Sequence, residues 1–247
     1  MSLATLRREL RSKRDPEKAR LLSRFFKTGP GEYGEGDHFL GISVPVIRAL
    51  IRAHKELSEQ DAFQLLQSAW HEERLAASII LVRSATRGSD KDRARIAKRY
   101  LASTAWINNW DIVDTSAPQI IGAWLEKRPR DILDRLAKNP DLWKRRIAIV
   151  STLWFIRQND LDDCFRISTI LMKDQHDLIH KACGWMLREA GKRDRRRLTA
   201  FLNQYRHLMP RTMLRYAIEK YPDADRKRFL RIDFVSQNHP HNPSSVR

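Results

Sequence analysis

Five segments of the chain align on one another without gaps: "RLAA" from Arg74, "DTSA" from Asp114, "RIAI" from Arg146, "KACG" from Lys181 and "RYAI" from Arg215. They recur at intervals of roughly 32 to 40 residues, the period of paired helices stacked as an α-solenoid. The residue two places after each lead position is small, which lets neighbouring helices approach closely. Strand signals are nearly absent. "DAFQLLQSAW" sets Ala62, Leu65, Leu66 and Ala69 at helical spacing, and "RLAASIILVRSA" and "RRIAIVSTLWFI" are apolar over enough of their circumference to read as inner helices. Polar breaks such as "TRGSDKD", "KNPD" and "YPDAD" punctuate them. The expected fold is all-α: helix, short turn, helix, throughout.

Four of the five lead positions are basic. Stacked repeats would bring Arg74, Arg146, Lys181 and Arg215 into a column on one face, a basic stripe along a concave groove that suits a phosphate backbone. The plainer alternative is that each is a solvated or salt-bridged residue near a helix start. The whole chain agrees with the stripe: 47 Lys and Arg against 30 Asp and Glu leave a net charge of +17, which attracts polyanions, nucleic acid above all. Two cysteines, Cys164 and Cys183, cannot build a disulfide framework or a four-thiolate zinc site, and read as reduced core thiols. The first residues lack an apolar signal core and no run of 18 apolar residues occurs, so a cytoplasmic protein is expected.

Asp114 interrupts the basic column. It could cap a helix or pair with a neighbouring arginine; Asp111, three residues earlier, has a better claim to capping, and Pro118 places the helix start close to Asp114. The sharper reading is chemical. A carboxylate in a groove for phosphates is rewarded if the substrate develops positive charge, as a sugar does when its N-glycosidic bond breaks. The same group could position a water for attack. Trp110 lies one helical turn before Asp114 and Trp185 one turn after Lys181; their faces attract cations. Trp70, Trp124, Trp143 and Trp154 fit core patterns, and Trp106 fits either role. No HExxH, GxSxG or CxxC motif occurs, and His71, His176 and His180 show no tight ligand pattern, so neither metal nor cofactor is expected.

Two stretches stand outside the repeat. Residues 27–45 form a Gly-rich loop without the ending of a phosphate loop. Pro45 then opens a helix over "PVIRALIRAHKEL", with Ser43 as its cap. Residues 1–235 are expected to form a single domain and 236–247, including His239 and His241, a disordered tail.

The blocks "FLGISVPVIRAL", "WDIVD" followed by Pro118, "LWKRRIAIV" and "KACGWMLRE", with a weaker "MPRTMLRYAIEKYP", resemble the AlkD family of HEAT-like-repeat bacterial DNA glycosylases from about residue 39 to 222. The resemblance implies a HEAT-like solenoid that hydrolyses the N-glycosidic bond of N3- and N7-alkylpurines in duplex DNA, leaving an abasic site, without metal or nucleotide. It implies that Asp114 is the catalytic carboxylate, Trp110 and Trp185 the active-site tryptophans, and Arg146 a DNA contact. Arg48 is similar to another DNA-facing residue of the family. Ser43, with Val44, stands where family members can carry longer polar residues, which bears on contacts opposite the lesion. The expected state is a monomer. Two other functions fit the scaffold: a non-catalytic binder of bent or branched DNA, and a HEAT-type protein-interaction scaffold.

Overall fold

The computed structural model describes residues 2–231; the expected tail, with His239 and His241, lies outside the described residues. The chain is all-α. Among the described residues the only extended pairing is an isolated bridge between His38 and Trp70.

Local signals account for several of the helix starts. α1 (Leu3–Ser12) is capped by Ser2 and buries Leu3, Leu6 and Leu10 on one stripe. α2 (Pro16–Phe25) follows an Asp15 cap with Pro16 in its first turn, and buries no residue. α3 (Val44–Ala53) buries Ile47 and Ile51. α4 (Glu59–Leu66) and α6 (Asp90–Ala102) begin with capping boxes, Ser58 with Asp61 and Ser89 with Asp92. Between them runs α5 (His71–Arg87). α7 (Trp110–Ala117) passes through a π-helical turn, Pro118–Gly122, into α8 (Ala123–Leu125). There follow α9 (Asp131–Ala137), α10 (Leu142–Ser151), α11 (Leu153–Ile156), α12 (Asp162–Ile170), α13 (Asp177–Arg193), α14 (Arg195–Tyr205), α15 (Arg211–Ala217) and α16 (Asp223–Leu230).

Contacts between helices follow chain order. α3 packs on α5, α5 on α7, α7 on α10, α10 on α13 and α13 on α15, while α4 and α6 lie against α5, α9 against α10, and α12 and α14 against α13. The small residues of the five aligned segments sit inside this row: Ala76, Ser116, Ala148, Cys183 and Ala217 are all buried. At Gly184 an added Cβ would come within 2.5 Å of the Met213 carbonyl and of Tyr216 Cβ, so α13 and α15 touch nearly backbone to backbone. Both cysteines are free and buried, and burial pushes the Cys164 thiol up to about 12.

Several local expectations differ from the structure. The helix bearing Asp114 begins at Trp110, capped by Asn109, whose Oδ1 accepts from the Trp110 N–H at 2.8 Å. Asp111 therefore lies inside the first turn. Pro118 is internal: it has no N–H for the Asp114 carbonyl, and the chain widens there into the π turn. The helix after Pro45 ends at Ala53, short of "HKEL". Ala69 lies past the end of α4 and is exposed, and Trp70 precedes α5 rather than sitting within a helix. Trp106 is 41% exposed, in a short 3-10 turn after α6.

The Gly-rich segment is pinned by one carboxylate. Glu72, 2% exposed in the first turn of α5, accepts from the N–H groups of Leu40, Gly41 and Ile42 at 2.8, 2.7 and 3.2 Å. Gly41 has φ +84 and lies so close to Asp15 that a Cβ would meet its carbonyl oxygen at 2.1 Å, so glycine is required there on both counts. This clamp carries residues 27–43 back across the start of α5 and into reach of α7.

Candidate active site

A cleft of about 500 Å³ opens where α7, α10, α13 and α15 meet the Gly-rich segment. Asp114, Trp110, Trp185, Arg146 and Lys181, five of the residues singled out from sequence, line it together. α7 carries Trp110 and Asp114 one turn apart on the same face. α13 carries Lys181 and Trp185 in the same relation, and α10 contributes Arg146 from beneath.

Asp114 is partly buried, with 18% of its side chain exposed, against 5% for Arg146. The pair is bidentate: Arg146 Nε donates to Oδ1 at 2.9 Å and Nη2 to Oδ2 at 2.7 Å. Arg146 Nη1 donates to the Leu178 carbonyl at 2.6 Å, so all three guanidinium nitrogens are engaged within the protein. Desolvation raises the Asp114 carboxyl above its usual range, and the adjacent guanidinium limits that rise. A carboxylate accepts about four hydrogen bonds and Arg146 uses two of those positions. The others can serve a water or a cationic centre in the cleft. Both readings of Asp114 thus have a physical basis: it pairs with the arginine leading the next repeat, and it lines a cavity.

The aromatic wall continues beyond Trp110. Its ring stacks on Phe26 at 5.2 Å and meets Phe25 edge-on at 5.9 Å. Tyr33, from the Gly-rich segment, lies edge-on to Trp143 and His176 at 6.1 and 6.4 Å; burial pushes its phenol up, offset in part by a hydrogen bond with the Trp110 side chain. Lys27, Arg188 and Tyr216 complete the rim. Lys181 pairs with Asp177 at 2.7 Å, a hydrogen bond that raises its pKa, and Arg188 pairs with Glu219. Trp110 and Phe25 also border a second, almost wholly apolar cavity of about 510 Å³.

The other expected DNA contacts lie elsewhere. Arg48 and Ser43 are exposed at the start of α3, where Ser43 occupies the cap position without a side-chain capping bond. Arg215 is exposed on α15, outside the cleft lining. Arg74 differs from the expectation of a groove-facing stripe: it is 3% exposed, its Nη2 donates to Asp37 at 2.6 Å and its Nη1 to the Ser68 carbonyl at 3.0 Å. Its partner comes from the Gly-rich segment, outside the repeat that suggested the column. Sequence reading missed Phe25, Lys27, Tyr33, His176, Arg188 and Tyr216. Only Arg188 carried a signal, because it follows Lys181 and Trp185 at helical spacing.

With this geometry in place, a family model described as DNA alkylation repair enzyme matches residues 6–221. The chain belongs to that family. Among solved structures, the chain is similar to a "Predicted DNA alkylation repair enzyme from Enterococcus faecalis", with 18% identity, a TM-score of 0.67, and coverage of 85% of this chain and 98% of that one. At such low identity the likeness establishes a shared fold. No curated protein matches the chain. The family match spans both α7 and α13, which carry the aromatic and acidic groups of the cleft. No helix among the described residues is long and apolar enough to cross a membrane, and none of their His, Cys, Asp and Glu side chains group as a metal site.

Proposed function

We propose that the protein is a DNA glycosylase that hydrolyses the N-glycosidic bond of cationic N3- and N7-alkylpurines in duplex DNA. The observation that carries this reading is Asp114: a desolvated carboxylate, held bidentately by Arg146, in a cleft walled by Trp110 and Trp185. In this reading the row of helices is a HEAT-like solenoid and its basic concave face receives the duplex, with residues 1–235 acting as one domain on the chromosome in the cytoplasm, as a monomer.

The alkylated base already carries positive charge, so the C1′–N bond can break with its electron pair leaving on a neutral base, without a general acid. Charge then develops on the sugar. A carboxylate about 4 Å away gains roughly 4 kcal/mol from a unit positive charge at an effective dielectric constant near 20, close to a thousandfold in rate. Water adds at C1′ and gives up its proton to Asp114, whose raised pKa suits it to the task. Trp110 and Trp185 hold the cation by their π faces. Arg146 keeps the partly buried Asp114 ionised and oriented. Lys27, Lys181 and Arg188 at the rim, with Arg48 and Ser43 at α3 and Arg215 at α15, take up phosphates.

The test is base release from a duplex containing N7-methylguanine by wild type and Asp114→Asn. Release by wild type, slowed between about tenfold and a thousandfold in the variant with DNA binding retained, supports the reading; tenfold is about 1.4 kcal/mol of barrier. Equal rates would remove Asp114 from the mechanism. Binding without release by wild type would leave a non-catalytic DNA binder.

A further inference from the structure

We infer that His71, outside the cleft, is a positioning residue for this site: hydrogen-bonded at both ring nitrogens, it holds the first turn of α7 and with it Trp110 and the charge balance around Asp114. The inference rests on the glycosylase reading for its catalytic consequence, though its structural content stands without it.

His71 is the first residue of α5 and is 2% exposed. Its Nε2 lies 2.8 Å from Asp111 Oδ2 and its Nδ1 3.3 Å from Asp37 Oδ2. Either neutral tautomer would turn a lone pair toward one of these carboxylates; the imidazolium alone donates to both. Burial opposes that charge, but Asp111 and Asp37 prevail and raise the histidine to about 9. The charged groups facing it are Asp37 from the Gly-rich segment, Asp111 from α7, and Arg74 and Glu72 from its own helix. Arg74 is bound to Asp37, and Glu72 is occupied by three backbone N–H groups. Asp37 and Asp111 are thus balanced by Arg74 and His71.

Two physical links run from this cluster to the cleft. One passes through the backbone. Asp37 also accepts from Asn108 and Asn109 at 3.3 and 3.4 Å, and Asn109 caps α7. His71 and Asp37 therefore grip both sides of the turn that begins with Trp110. The other passes through rings: His71 stacks on Phe39 at 4.6 Å and lies 4.9 Å from Phe26, which stacks on Trp110. Without the imidazolium, Asp111 becomes an unbalanced anion three residues from Asp114, where its charge already opposes ionisation of the catalytic carboxylate.

The sign of the pH effect follows. Below about 6.5, the ordinary histidine pKa, the group is charged whether folded or unfolded. As pH rises through about 9 the folded protein loses the imidazolium, and both the grip on Trp110 and the rate of base release fall. The experiment labels the protein with 5-fluorotryptophan, assigns the Trp110 ¹⁹F line with Trp110→Phe, and titrates from pH 7 to 10. The line is expected to move with a midpoint near 9 in wild type and not in His71→Gln. Single-turnover release from a duplex bearing N3-methyladenine, whose charge is fixed, is expected to fall at least tenfold in His71→Gln, with DNA affinity changed less than about threefold. Adding Asp111→Asn should recover much of that loss by removing the stranded anion. A Trp110 line indifferent to pH overturns the proposal, as does a double variant no faster than His71→Gln. If His71→Gln does not fold, the wild-type titration decides alone. A wild type that releases no base while Trp110 titrates as described refutes the glycosylase reading and leaves the His71 link standing.

Discussion

Asp114 and Arg146 illustrate how little a single residue type says without its partner. From sequence, the two were members of one column, an anion interrupting cations. In the fold the anion and the next cation close on each other, and the column becomes a pair. Removing one member of a buried pair leaves the other uncompensated. Because Arg146 holds the Asp114 pKa down against desolvation, Arg146→Gln is expected to raise it further. If Asp114 acts as proposed, activity is lost as it protonates with falling pH, and this acidic limb of the rate–pH profile should therefore move to higher pH. An unshifted limb, measured by single-turnover base release, would show that Arg146 does not tune Asp114. Arg74 shows the complementary case. Its register matched the column, but its orientation was decided by Asp37, on a segment with no place in the repeat. Register can be read from spacing; which way a side chain is finally drawn depends on a partner that spacing does not reveal.

At the scale of elements, small residues set the spacing between successive inner helices, and this was legible as the small position following each lead residue. One such close approach falls at Gly184 between α13 and α15. Gly184→Ala would force a methyl against the Met213 carbonyl and Tyr216, an overpacking that costs about 1–3 kcal/mol. Thermal unfolding should drop by several degrees, since 1 kcal/mol corresponds to about 2–4 °C in a domain of this size. An unchanged midpoint would mean that α15 can shift freely. The boundary of α7 was less legible. Pro118 and Asp111 pointed to a helix beginning near Asp114, whereas Asn109 supplies the cap and the π turn absorbs the proline. A proline ordinarily favours a first turn; here the flanking segments pack into the core, with Ile112, Val113, Ile120 and Ile121 all buried, and the proline stays inside. The cleft rim drawn from the Gly-rich segment was not legible either, because Glu72 organises that loop through backbone N–H groups that have no sequence identity.

For the whole molecule, the net charge of +17 is a property of binding to polyanions more than of folding. If Lys27, Lys181, Arg188, Arg48 and Arg215 each meet a phosphate, the logarithm of the affinity for duplex DNA should fall with the logarithm of salt concentration at a slope of roughly −4 to −5, about −0.9 for each contact. Arg215→Ala should reduce the slope by about one unit. Arg74→Ala should leave it unchanged while destabilising the fold, because that guanidinium is internal. A wild-type slope near zero would refute the basic face as the DNA-binding surface. The row from α3 through α5, α7, α10 and α13 to α15 also has a mechanical consequence. Each of these inner helices packs on the one before and the one after, so the row has several joints in series. If the row is the solenoid proposed above, a chain built this way is expected to act as a short spring, opening its pitch slightly around a curved guest and recoiling when the guest departs.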